Sequence, residues 1–187
     1  MNKITGTIIT LNAEKYVLRA IESLKNISDE IIVLDSKSSD STRDIAKSAG
    51  AKVYIQEFLG DGLQKKEASN FATNSWIFSL DADEYLDQDL IDFIKKTDLS
   101  NTSYDSFAFR RKNYCADEWI KAAGFYPDYV TRLYDKSRVN YDSRADHAAV
   151  DSKNILKTSC HIVHTTYESM EEWVDKMNFR SSMSARQ

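Results

Sequence analysis

Three carboxylates within four positions, Asp81, Asp83 and Glu84, follow directly on the apolar run Trp76-Ile77-Phe78-Ser79-Leu80. A short run of mostly large apolar residues, bounded by Asn74-Ser75 and by charge, reads as a buried parallel strand. The carboxylates then sit at its carboxyl end, outside which open α/β sheets bind their ligands. With one residue between them, Asp81 and Asp83 leave the same face of a still-extended backbone. Two carboxylates aimed into one crevice repel unless a cation lies near. Oxygen ligands suit a hard divalent ion, Mg²⁺ or Mn²⁺, which keeps waters and is completed by substrate phosphates. The competing reading is a solvated acidic turn capping a helix that begins near Asp87, and the rest of the chain must decide between the two.

Upstream, residues 4–9 form a β-branched strand that ends at Thr10-Leu11-Asn12. The pattern predicts a helix over 13–24 with Val17, Leu18, Ile21 and Leu24 on one face, Asn12 as N-cap and Glu14 in the first turn. A second buried strand, 30–34, ends at Asp35-Ser36. The helix over 42–49 stops at Gly50 in the C′ position, and 52–55 is a third strand. Residues 58–64 read as a loop holding Gly60 and Gly62. A helix over 65–73, with Ala68, Phe71 and Ala72 inward, then feeds the central strand, and another helix follows over 87–96. Such alternation predicts an α/β fold with a parallel sheet and helices on both faces. Thr10–Asn12, Asp35 and Asp81–Asp83 fall on one rim. Polar residues always follow buried strands where the chain reaches solvent; that explains the serines better than the aspartates.

Beyond Asn101 the texture changes. Phe107 and Phe109 alternate into Arg110-Arg111, and 129–134 alternates again, so antiparallel or mixed strands are predicted. Residues 114–127 between them are aromatic and irregular, with Trp119, Phe125 and Tyr126 suited either to stacking on a sugar ring or simply to packing. Residues 155–163 supply a last strand. Ser169-Met170-Glu171-Glu172 is a capping box for a final helix with Met170, Trp173, Val174 and Met177 on its apolar face. No helix terminator precedes Gln187, which reads as a truncated helix.

The whole composition is that of a globular chain: 187 residues, 42% hydrophobic, 29% charged, with a net charge of −4. The acidic balance argues against nucleic acid as partner. No stretch nears the ~18 apolar residues of a membrane span, and Met1-Asn2-Lys3 does not open a signal peptide. Cys115 and Cys160 have neither metal-type nor disulfide-framework spacing, so a cytoplasmic location is expected.

Taken in order, Thr10-Leu11-Asn12-Ala13-Glu14, the segment Val33-Leu34-Asp35-Ser36-Lys37-Ser38-Ser39-Asp40-Ser41-Thr42, and Leu80-Asp81-Ala82-Asp83-Glu84 resemble the three landmarks of the family 2 glycosyltransferases of the GT-A type. Gly124-Phe125-Tyr126-Pro127-Asp128-Tyr129 and Arg132-Leu133-Tyr134 are most similar to the bacterial lipopolysaccharide-core glucosyltransferases. The resemblance implies a GT-A, Rossmann-like nucleotide-sugar-binding fold: a central mostly parallel sheet in residues 1–100 and a smaller mixed acceptor-side region in 101–187. It implies an inverting hexosyltransferase using a UDP-sugar, Mg²⁺ or Mn²⁺, and a saccharide or lipid-linked saccharide acceptor, with peripheral contact at the inner membrane. By the same resemblance Thr10, Leu11, Asn12, Glu14, Asp35 and Ser36 belong to the nucleotide site, with Asp35 accepting the uracil N–H. Lys65 lies near the diphosphate, Asp81 and Ala82 face the ribose, and Asp83 binds the metal, with His164 as a further ligand. Two departures stand out: Lys37 occupies a position usually glycine, and Lys66 one usually asparagine.

Inverting transfer needs a base for the acceptor hydroxyl. Asp117, Glu118 and Asp128 are the candidates. Asp128 is favoured because Pro127 fixes the turn before it and neighbouring aromatics would desolvate it, raising its pKa. Of the histidines, His147 carries no assignment and His161 reads as structural. Arg110, Arg111 and Arg132 either meet an acceptor phosphate or form a solvated face. A sugar nucleotidyltransferase would need a Gly-rich phosphate loop after the first strand, where Thr10-Leu11-Asn12-Ala13-Glu14-Lys15 has no glycine. A non-catalytic Mg²⁺-binding α/β signalling module would not continue into the mixed aromatic second half.

Overall fold

A computed structural model describes residues 3–122, 124–142, 148–167, 169, 171, 172 and 174. Alternation in the first half gives β1 (Ile4–Thr10), α1 (Val17–Leu24), β2 (Glu30–Asp35), α2 (Thr42–Ser48), β3 (Lys52–Ile55), α3 (Asp61–Asn70) and β4 (Trp76–Asp81). There follow β5 (Glu84–Leu86), α4 (Gln88–Lys96), β6 (Ser106–Cys115), β7 (Glu118–Trp119), β8 (Asp128–Asp135) and β9 (Ile155–Tyr167). One sheet runs β3-β2-β1-β4-β8-β6-β9-β5, with β7 paired to β6. The pairs β1/β2, β1/β4 and β2/β3 are parallel, whereas β8 joins β4 antiparallel and carries the sheet into its mixed half. The expected mostly parallel α/β sheet with a mixed extension is therefore present.

Strand residues alternate between two cores. Ile31, Val33, Phe78 and Leu80 pack with Val17, Ile21 and Leu24 of α1 and with Leu90, Ile91 and Ile94 of α4. Ile32 and Ile77 point the other way, toward Ala72, Tyr134 and Tyr141. Fully burying each such aliphatic side chain contributes about 1.5–3 kcal/mol. At Gly6 a Cβ would stand 3.0 Å from Leu24 Cδ1, so glycine is what lets α1 close onto β1. Gly50, at φ 83, ends α2 as expected.

Helix α1 begins four residues later than predicted, and Asn12 is not its cap. The backbone N–H groups of Asn12, Ala13 and Glu14 donate sideways to Ser38 Oγ (2.9 Å), Thr42 Oγ1 (2.7 Å) and Asp40 Oδ2 (3.1 Å). In return Ser39 N–H donates to Asn12 Oδ1 (2.9 Å) and Ser41 N–H to Glu14 Oε2 (3.0 Å). The two loops are thus zipped together before α1 starts. With the later start Val17, Ala20, Ile21 and Leu24 face inward and Leu18 is 49% exposed, correcting its assignment to the core. Helix α3 conversely starts earlier, at Asp61 after Gly60 (φ 93), inside the predicted loop.

Strands β5 and β7 were not anticipated, and β9 extends four residues past its predicted end. Phe107, Ala108 and Phe109 are all buried instead of alternating, because β6 lies inside the sheet between β8 and β9 and is covered on both faces there. For the final helix, Glu172 N–H donates to Ser169 Oγ (3.1 Å), the first half of the capping box. Met170, Trp173 and Met177 of its predicted apolar face, and His147, lie outside the described residues. Among the described residues no helix is long and apolar enough to cross a membrane.

Candidate active site

The carboxyl ends of β1, β2 and β4 open into a cleft of about 330 Å³ lined by Thr10, Leu11, Asn12, Tyr16, Ser36, Phe58, Asp61 and the run Asp81-Ala82-Asp83, among others. Most of the anticipated nucleotide-site residues are therefore brought together. Tyr16, Phe58 and Asp61 join them without having been singled out. Glu14 lies at the start of α2, where it holds Ser41, and is not among the lining residues.

Asp35 lies beneath the cleft wall, fully buried. Its carboxylate accepts from Thr10 Oγ1 (2.9 Å), Ser38 N–H (2.8 Å) and Ser38 Oγ (2.5 Å), with Arg43 Nε 3.7 Å away. Three of the roughly four acceptor sites of this carboxylate are thus taken by the protein's own donors. What Asp35 visibly does is fold the loop that presents Ser36 to the cleft. Lys37, where the resembled family carries glycine, takes φ 64, so the loop keeps a glycine-like bend with a lysine in it.

The extended backbone expected through Asp81 and Asp83 is overturned: Ala82 and Asp83 form a tight turn into β5. The two carboxylates consequently have different partners. Asp81 meets Lys65 Nζ (2.8 Å) and Arg132 Nη2 (2.5 Å), so protein cations match its charge. Burial works to raise the Asp81 carboxyl, but Arg132 and Lys65 outweigh it and hold it far below the usual carboxylate range. Lys65 is itself buried, with its ammonium on Asp81 instead of the open cleft expected beside a diphosphate.

From Asp81 an alternating chain of charges runs under the sheet's carboxyl edge. Arg132 Nη2 also reaches Glu84 Oε1 (2.6 Å), Glu84 Oε1 accepts from Arg111 Nη1 (3.2 Å), and Arg111 Nη2 pairs with Asp128 Oδ2 (2.8 Å). Three cations and three carboxylates, Lys65, Asp81, Arg132, Glu84, Arg111 and Asp128, leave no net charge. Burial opposes the charge on Arg132, but Asp81 and Glu84 more than compensate and raise its pKa further. Arg132 is only 4% exposed, so neither a solvated face nor a phosphate anchor describes it. Asp128 has polar partners that the sequence reading did not include, Arg111 and Asn113 Nδ2 (3.3 Å). Asp117 and Glu118 are exposed at the β6–β7 turn.

Asp83 faces β9, and its Oδ2 stands 3.4 Å from His164 Nε2. The strand pairing that seats His164 here is β5 with β9, which sets Glu84 opposite His164. His161 lies elsewhere, with Nδ1 on Asp89 Oδ2 (2.6 Å) and Nε2 on the Tyr126 hydroxyl (3.1 Å). Asp87, Asp89 and His161 cluster closely enough to share an ion, but Lys112 Nζ already sits 2.5 Å from Asp87 Oδ2.

The sequence pattern of Glycosyl transferase family 2 matches residues 7–160. The chain belongs to this family. An uncharacterized glycosyltransferase of Rickettsia typhi is 36% identical over 200 residues, spanning 100% of this chain and 68% of the relative. The lipopolysaccharide core biosynthesis glycosyltransferase LpsC of Rhizobium meliloti is 26% identical over 197 residues, 98% of this chain and 71% of LpsC. Among solved structures, S. aureus TarS 1-349 in complex with UDP superimposes with a TM-score of 0.66 at 16% identity, over 92% of this chain and 62% of that one. This chain thus spans less than two thirds of the TarS chain, and the likeness is one of fold, GT-A-like α/β.

Proposed function

We propose that this family 2 glycosyltransferase is an inverting, metal-dependent hexosyltransferase using a UDP-sugar. The observation that carries this reading is the pairing of Asp83 Oδ2 with His164 Nε2 at 3.4 Å on the rim of a cleft built from three parallel strand ends. Asp83 and His164 would hold the ion, since their two donor atoms stand close enough to share one Mg²⁺ or Mn²⁺ with bonds of ~2.1 Å. Two protein ligands leave the remaining positions to water and phosphate, as this ion class prefers. When bound, the metal would neutralise charge on the departing diphosphate.

The chain's own residues do the rest. Leu11, Tyr16 and Phe58 give the cleft apolar and aromatic walls for a planar base, while Thr10, Asn12 and Ser36 supply polar edges. Asp81 and Ala82 border the ribose. Asp128 takes the proton from the acceptor hydroxyl as its oxygen bonds to the anomeric carbon and the bond to UDP breaks on the opposite face, which inverts that carbon. In this reading residues 1–100 hold the donor and 101–187 the acceptor side. A name such as LpsC's, on a relative at 26% identity, favours a lipopolysaccharide-core or other lipid-linked saccharide acceptor, met at the cytoplasmic face of the inner membrane.

Thermal unfolding with UDP, with Mn²⁺, and with both tests the donor site. Together they should raise Tm by more than the sum of their separate effects, since each completes the other's site. Asp83→Ala should abolish that synergy, and its survival in the variant would place the metal elsewhere.

A further inference from the structure

We propose that Asn113 is a positioning residue: it fixes the tautomer of His164 that turns a lone pair toward Asp83, and with the same amide holds the carboxylate of Asp128. The inference rests on the reading of Asp83 and His164 as metal ligands and Asp128 as base, and goes beyond it by naming what keeps the two in register.

Asn113 is buried, 4% exposed, in β6. Its Nδ2 lies 3.0 Å from the carbonyl oxygen of Phe125 and 3.3 Å from Asp128 Oδ2. Both neighbours only accept, so the two amide hydrogens must point at them. The reversed amide would set its oxygen against a carbonyl and a carboxylate. Amide orientation is thereby fixed by chemistry, and Oδ1 is left facing His164 Nδ1 at 2.7 Å. An amide oxygen cannot donate, hence Nδ1 carries the hydrogen. In the neutral ring the lone pair is then on Nε2, the atom 3.4 Å from Asp83 Oδ2.

Backbone pairing makes the arrangement stiff. Asn113 and His164 are register partners in the parallel pair β6/β9, while Arg111, two residues earlier in β6, is opposite Asp128 in β8. One amide therefore ties three pieces together: the strand bearing His164, the strand bearing Asp128, and the Phe125 carbonyl in the aromatic loop. A hydrogen-bond partner on the far nitrogen of a ligating histidine is worth about 10–100-fold in metal affinity.

The test uses the full chain in two measurements. First, ¹⁵N shifts of the histidine rings in the metal-free protein, with His164 assigned from His164→Gln, should show the Nδ1–H tautomer. Finding Nε2–H overturns the proposal whatever the metal does. Second, Mn²⁺ is titrated in the presence of UDP, following the electron paramagnetic resonance signal of free Mn²⁺. Asn113→Leu should weaken Mn²⁺ binding by about 10–100-fold. Asn113→Asp still accepts from Nδ1–H and should hold Mn²⁺ within a few-fold of wild type, yet it has no hydrogen for Asp128. It should therefore lower kcat while leaving KM for the donor nearly unchanged. Wild-type Mn²⁺ affinity in a cooperatively folded Asn113→Leu, or equal loss in both variants, also overturns the proposal. Should Asn113→Leu fail to fold, Asn113→Asp and the tautomer measurement still decide it. If wild-type protein bound no Mn²⁺, the metal reading would fall, and the ring shifts would still decide what Asn113 does.

Discussion

Asp128, the base in the proposed mechanism, has an environment shaped by charge, since its carboxylate pairs with the Arg111 guanidinium. Arg111 and Asn113 both donate to its Oδ2, which orients the carboxylate at the start of β8. Asp128→Asn keeps an oxygen for Arg111 but cannot take a proton. Turnover should fall by roughly the ~10²–10⁴-fold that general-base catalysis contributes, with donor affinity nearly intact. Steady-state kinetics on the variant check this, and undiminished kcat would move the base to Asp117 or Glu118. At this scale the gathering of Thr10, Asn12, Ser36, Asp81 and Asp83 on one cleft was legible, because it follows from their strand-end positions. The roles of Asn113, Arg111 and Glu84 were not legible. Each acts through a partner 15 to 51 positions away across the sheet, and no local pattern encodes that. Lys65 is expected beside a diphosphate, but its ammonium is buried against Asp81, a pairing that no local pattern encodes.

Helices and strands of the first half follow from periodicity because each β/α unit packs on its sequence neighbours. The zipped loops after β1 and β2 escaped it: side-chain acceptors at Ser38, Asp40 and Thr42 capture N–H groups that a helical pattern assigns to α1. Strands of three and two residues, β5 and β7, are too short to show a period, yet β5 seats Glu84 and pairs with the strand that carries His164. The charge chain belongs to this scale, since Arg132 in β8 joins β4 to β5 through Asp81 and Glu84. Arg132→Met leaves two carboxylates short of a buried partner, so a loss of about 3–5 kcal/mol is expected. Urea denaturation measures it. A change under 1 kcal/mol would mean that Lys65 and Arg111 alone suffice for the two carboxylates.

The whole molecule separates its working end from its fastening end. At the amino ends of the parallel strands, opposite the cleft, Glu30 accepts from Thr5 Oγ1 (2.8 Å), Lys52 Nζ (2.6 Å), and the N–H and Oγ1 of Thr73 (both 2.9 Å). One carboxylate thus clips β1, β2, β3 and the loop before β4 together. Burial alone would raise its pKa, but the bonds from Lys52, Thr73 and Thr5 bring it down to about 2. A depressed carboxyl pKa adds stability that is present above the unfolded value, 4.5, and is lost as pH falls from there toward about 2. Glu30→Gln removes the charge at every pH. At neutral pH it should lower Tm by several degrees, consistent with about 1–2 kcal/mol in a chain of this size. The gap between wild type and variant should then narrow through that acid window and close near its lower end. Because the clip and the cleft stand at opposite ends of the same strands, synergy between UDP and Mn²⁺ should persist in Glu30→Gln below its own Tm. Thermal melts of both proteins across pH, with and without the two ligands, check each part. A pH-independent Tm gap would show that the clip acts through shape and not charge, whereas loss of ligand synergy would show that the two ends are coupled through the sheet.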